Sequence, residues 1–146
     1  MDQLTVEQVR SLFSCLERGD SDSFFSHVAD TVHWTVMGTH PLAGTYHDKK
    51  TFIQSTFHRL NRVLRDGVRL RVTHVLVSRD TAAVELEALS TAVNGRPFAN
   101  KYCWICRFSG DVIVEVRAYL DSALVRQVLE ENEELAESSD RGILPG

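Results

Sequence analysis

The chain has 146 residues, the size of one ordinary domain, and is 43% apolar and 25% charged, a balance that excludes a disordered or low-complexity chain. Its formal net charge is −4, without the basic excess that a phosphate backbone requires, so no nucleic-acid partner is expected. No apolar run approaches the roughly 18–20 residues that span a bilayer, and Met1-Asp2-Gln3 opens without a basic region followed by an apolar stretch, so the expectation is a cytoplasmic protein with no membrane partner.

Thr5-Val6-Glu7-Gln8 has the spacing of a capping box, and Val6, Val9, Leu12, Phe13 and Leu16 follow on one helical face up to Gly19. Asp20 or Ser21 opens a second short helix carrying Phe24, Phe25 and Val28. Val32 to Val36 alternates as a strand, and residues 38–44 read as a loop through Gly38, Pro41 and Gly44. Asp48 caps what reads as the longest helix, 49–65, with Phe52, Ile53, Phe57, Leu60, Val63 and Leu64 on its apolar face. The period then changes from 3.6 to 2. Strands are predicted over 68–77, 82–93, 98–108 and 112–120, with Asn94-Gly95 as a hairpin turn. Asp121 caps a last helix through Leu124, Val125, Val128 and Leu129. Residues 1–130 form the expected domain, and 131–146 an acidic tail expected to fray. Strands joined by short turns cannot make a parallel doubly wound sheet, so the fold class is α+β with helices on one face of a bent antiparallel sheet.

Three segments resemble a known family. They are Val32-His33-Trp34 with residues 38–46, then Asn94-Gly95-Arg96-Pro97 with residues 100–104, then Arg107-Phe108 with residues 114–121. Together they resemble the SnoaL-like, ketosteroid-isomerase-like proteins of the nuclear transport factor 2-like superfamily, over roughly residues 4 to 130. The resemblance implies a cystatin-like cone, a curved antiparallel sheet wrapped around N-terminal helices. It also implies a small-molecule pocket, and a homodimer paired through the outer sheet face. The known catalytic sets of that group do not carry over. The place of the isomerase base at the end of the first strand is Thr35-Val36-Met37-Gly38, without a carboxylate, and residues 5–18 hold no tyrosine to bind an oxyanion. The second isomerase donor falls near Trp104, and the histidine and aspartate of the polyketide cyclases fall at Trp104 and Ala118.

Strand alternation combined with the resemblance assigns the pocket wall. It comprises Trp34, Phe57, His58, Leu60, Leu89, Asn100, Trp104, Val116 and Ala118, with Asp121 at the mouth. Glu87, and Glu85 on the same face, would line it too. A carboxylate desolvated on an apolar wall has a raised pKa and can act as a general base, so Glu87 and Tyr102 are the candidate catalytic residues, with Asn100 or Tyr102 holding a developing oxyanion. The competing reading puts Val84, Leu86 and Ala88 inside, and the glutamates outside against Arg69, Arg71 or Arg117. Asp121 is equally readable as a helix N-cap, and His58 as an ordinary helix histidine.

No cofactor and no metal are expected. Cys103 and Cys106 match C-x-x-C, but on a strand their side chains face opposite ways, unlike redox pairs at a helix start. His27, His33, His40 and His47 are evenly spaced yet fall on a helix, a strand and loops, with no common ligand geometry. Two functions stay open: a cofactor-free isomerase, cyclase or hydratase acting on a small apolar compound, and a non-catalytic ligand-binding or dimerisation module.

Overall fold

A computed structural model describes residues 3–140. The capping box forms as spelled. Gln8 N–H donates to Thr5 Oγ1 at 3.1 Å and Thr5 N–H to Gln8 Oε1 at 2.9 Å, opening α1, Val6–Glu17. The Asp20 carboxylate caps α2, Ser21–Phe25, and the chain enters β1, Val28–Val36, earlier than its alternation alone implies. The short β2, Gly44–Tyr46, turns back along β1.

The predicted long helix is interrupted. Asp48 caps α3, Lys49–Ser55, and a separate α4 covers Phe57–Val63. At the junction Thr56 sits at φ −122°, ψ −73°, and its buried hydroxyl donates to the Phe52 carbonyl at 2.8 Å. A β-branched hydroxyl bonded back four residues bends or breaks a helix without disturbing its apolar face. Phe52, Phe57, Leu60 and Val63 therefore all remain buried across the break.

Two predicted strands also divide. Residues 82–93 become β4, Thr81–Ala88, and β5, Ser90–Thr91; residues 98–108 become β6, Pro97–Phe98, and β7, Lys101–Ser109. The Asn94-Gly95 turn, with Gly95 at φ +92°, closes only the small β5–β6 hairpin. With β3, Leu70–Ser78, and β8, Val112–Leu120, the main sheet runs β2-β1-β8-β7-β4-β3. Every neighbouring pair in it is antiparallel except β1 with β8, a parallel contact that closes the sheet's first and last long strands on one another.

Residues 131–140, expected as an acidic tail, are helical. They continue α5, Ser122–Asp140, the longest helix among the described residues; 141–146 lie outside the described residues. The apolar spacing of Val125, Val128 and Leu129 carries on through buried Asn132 and Ala136, which an apolar-only reading passes over. Asn132 Oδ1 accepts from Asn94 N–H at 2.9 Å, and Arg59 holds Glu133 through two bonds of 2.6 and 2.8 Å. Arg126 reaches the Thr39 carbonyl at 2.9 Å. Thus α5 runs from the loop after β1 to the β5–β6 turn, across the end of the sheet where β7 starts and β8 finishes. Among the described residues no helix is long and apolar enough to cross a membrane.

Candidate functional site

The concave face of the sheet is set by strand period. On β4 the residues Ala82, Val84, Leu86 and Ala88 are buried, on β7 Trp104, Cys106 and Phe108, and on β8 Ile113, Val116 and Ala118. The apolar set of β4 thus faces the core, and the expected inward glutamates are corrected to the outer face. Glu87 lies against Lys101 Nζ at 3.1 Å and Arg71 Nη2 at 3.6 Å, and the Lys101 bond with both positive charges holds its carboxyl below the usual range. A base poised near neutrality needs the opposite shift, so Glu87 is not the internal base. Glu85 is exposed beside His74.

Three further assignments are corrected by position. Leu89 is 42% exposed, because the chain leaves the sheet after Ala88 to start the β5–β6 hairpin. His58 lies on the solvent side of α4, one residue round from buried Phe57. Asp121 Oδ1 accepts from Ala123 and Leu124 N–H at 3.1 and 3.3 Å, so it caps α5 from an exposed position. Trp34, Phe57, Leu60, Asn100, Trp104, Val116 and Ala118 are all buried.

The void expected between Trp34 and Trp104 is absent. The two indoles meet edge to face, with ring centres 5.2 Å apart and planes at 81°. Phe52 stacks on Trp34 at 4.0 Å, while Phe13, Phe24, Phe57 and Tyr102 ring Trp104 at 5.9–6.4 Å. The interior around the two indoles is therefore a packed aromatic core. A cleft of about 1120 Å³ lies instead outside it, between α1, α2 and the β7–β8 turn, beside Leu12, Arg18 and Phe108, and none of the catalytic or pocket-wall residues assigned from sequence lines it.

What remains on the concave face is a polar pair at the start of β7. Asn100 is 1% exposed; its Oδ1 accepts from Lys101 N–H at 3.0 Å, but its Nδ2 has no hydrogen-bond partner. Tyr102, two residues on and on the same face, has its phenol desolvated; burial pushes its pKa up, opposed by a hydrogen bond with the Asn100 side chain that is too long or too poorly aligned to satisfy Nδ2. Both groups are donors. They can polarise or hold a carbonyl or enolate oxygen, and no carboxylate shares their face among the residues assigned to it.

Sequence reading missed His40. It is buried, and its ring ties the loop after β1: Nε2 lies 3.0 Å from the Met37 carbonyl, and Nδ1 accepts from Leu42 N–H at 3.1 Å. Burial holds its pKa below the ordinary histidine value despite the Met37 carbonyl, and the Arg126 charge acts in the same direction as burial. Its only sequence signal is a histidine beside proline in a glycine-bounded loop.

A family model described as a SnoaL-like domain matches residues 9–116. The chain is similar to the dimerizing cyclase phiC of Fungal sp. (strain ATCC 74256), 33% identical over 135 residues, which are 87% of this chain and 60% of that protein. It is also similar to the dimerizing cyclase tstC of Talaromyces stipitatus, 29% identical over 126 residues, 84% of this chain and 56% of that one. The chain thus spans just over half the length of these curated relatives. Among solved structures, an NTF2-like protein from Burkholderia thailandensis superposes with a TM-score of 0.71 at 23% identity, over 84% of this chain and 95% of that chain. TerC, co-crystallized with polyporic acid, gives a TM-score of 0.66 at 17% identity, over 86% and 97%. At these identities the structural likeness establishes the fold.

Proposed function

The chain belongs to the SnoaL-like domain family, and from that premise we propose that it binds a small apolar compound through a carbonyl or enol oxygen and promotes its ring closure or isomerisation without a cofactor. The observation that carries this reading is the fully buried Asn100 Nδ2, left without a well-formed hydrogen bond, beside the desolvated Tyr102 hydroxyl. A buried amide N–H left without a partner costs about 1–3 kcal/mol, so native proteins rarely keep one without a use. A ligand oxygen placed between the two donors satisfies both. As that oxygen gains charge during bond formation, the same donors strengthen. The cyclase names of the two curated relatives support the reaction class. With no carboxylate beside the pair, catalysis here rests on orientation and oxyanion stabilisation.

The probe is a set of 2-naphthols of graded acidity, followed by fluorescence. Affinity is expected to rise with naphthol acidity, and Tyr102→Phe to weaken the most acidic member by roughly ten-fold, the loss of one hydrogen bond to a charged oxygen. Glu87→Gln serves as the control and is expected to change nothing. Equal affinity in wild type and Tyr102→Phe, or no binding at millimolar naphthol, would overturn the reading. Binding that ignores acidity yet requires Tyr102 would favour the non-catalytic ligand-binding module.

The outer sheet face supports a homodimer. Ala83 and Ile105 pair across β4 and β7, Cys103 opposes Tyr119 across β7 and β8, and Leu76 follows on β3. Leu76 is 68% and Tyr119 44% exposed, whereas a solvated antiparallel face is usually polar. Sedimentation equilibrium is expected to give twice the chain mass, and Ile105→Glu to give the single-chain mass; a wild-type monomer at micromolar concentration removes the proposal.

A further inference from the structure

The even spacing of four histidines has no helical or strand period, but the fold brings two of them together. Trp34 pairs with Tyr46 across β1 and β2, which places His33 and His47 as the next opposed residues, both exposed. Their rings stand 4.9 Å apart centre to centre, with planes at 82°. Neither ring is hydrogen-bonded to any described residue. With a metal–nitrogen bond of about 2.0–2.1 Å and roughly 1.2 Å more to the ring centre, two imidazoles sharing one ion at about 100° have centres about 5 Å apart. The observed ring-centre spacing already has that value, so both rings can reach one ion without the strands moving.

A third donor stands in the same row. On the other side of β1, His33 is the pairing neighbour of Glu115 on β8, which is bound to Arg107 Nε at 3.2 Å. Among the described residues no three metal-ligating side chains are already gathered, so Glu115 would have to leave Arg107 to join the histidines. The geometry points to a two-histidine chelate for a late first-row divalent ion, zinc, nickel or copper, across the β1–β2 edge, with Glu115 as a latent third ligand restrained by Arg107. Imidazole donors select these ions over magnesium and calcium, which take oxygen ligands.

The test is a zinc titration of tag-free protein, with calorimetry for affinity and the histidine ring signals followed by NMR. Zinc is expected to shift His33 and His47 while leaving His27, His40, His58 and His74 in place. His33→Ala and His47→Ala should each weaken binding at least ten-fold. Arg107→Gln should tighten it several-fold, and Glu115→Gln added to that variant should reverse the gain. All four positions are exposed or half-buried on the sheet's outer face, so the variants are expected to fold; unchanged near-ultraviolet circular dichroism checks this. Unmoved His33 and His47 signals at 1 mM zinc, or wild-type affinity in His33→Ala, would overturn the chelate. No gain in Arg107→Gln would overturn the role of Glu115.

Discussion

Trp104→Ala is expected to remove about 3–5 kcal/mol of folding stability, the range for deleting a large aromatic from a packed core. The side chain is 3% exposed and meets Phe13, Phe24, Trp34, Phe57 and Tyr102 at ring-centre distances of 5.2–6.4 Å. Each aromatic pair adds something beyond buried area, and the neighbours come from five elements that cannot all collapse into the gap. Domains of this size have about 5–15 kcal/mol in total, so the variant should lie near the edge of folding. Urea denaturation measures the loss, and Trp104→Phe, which keeps a ring, is expected to fall between the two. Indole at millimolar concentration should raise the melting temperature of Trp104→Ala and leave the wild type unchanged, since only the variant has room for it. A loss under about 1 kcal/mol would mean that Trp104 lines open space, and the packed interior described above would be wrong.

That packed interior marks the limit of what residue order conveys. Caps and turns are local, so Thr5 with Gln8, Asp20, Asp48 and Asn94-Gly95 were all readable from neighbours alone. The α+β class followed from the change of period. Whether five phenylalanines and two tryptophans leave a hollow depends on how their volumes sum in three dimensions, and no periodicity carries that. The face of Glu87 was in principle available: Val84, Leu86 and Ala88 form the apolar set of β4, and that pattern by itself points them inward. Carrying the family's pocket over to this strand reversed it. The Thr56 break stayed hidden because the apolar face runs unbroken through it. The pair at Asn100 was foreseen as wall residues, but the unpartnered nitrogen that distinguishes it depends on where Lys101 and Ala88 lie. His33 and His47 stand fourteen positions apart and meet only through the return of β2 along β1.

Gly38→Ala is expected to cost about 2–4 kcal/mol through backbone strain and crowding together. Gly38 has φ +119°, a conformation that side chains rarely adopt, so any Cβ there is strained whatever surrounds it. That Cβ would lie 2.1 Å from Ser122 Oγ and 2.9 Å from His40 Cδ2. The serine hydroxyl can swing away, but the His40 ring cannot, because both its nitrogens are engaged with Met37 and Leu42. The strain should therefore pass to the loop between β1 and β2, which meets the start of α5 through Arg126 on the Thr39 carbonyl. A double-mutant cycle separates the two contacts. Ser122→Ala is expected to recover only a few tenths of a kcal/mol in the Gly38→Ala background, while His40→Ala and Gly38→Ala together should cost less than the sum of their separate losses by about 1 kcal/mol. Additive losses for Gly38 and His40 would show that the ring is free to move and does not pin this end of the cone. If the pinning holds, Gly38→Ala should also speed amide exchange in the first turns of α5 more than in β4, because that helix is anchored through this loop by Arg126 on the Thr39 carbonyl.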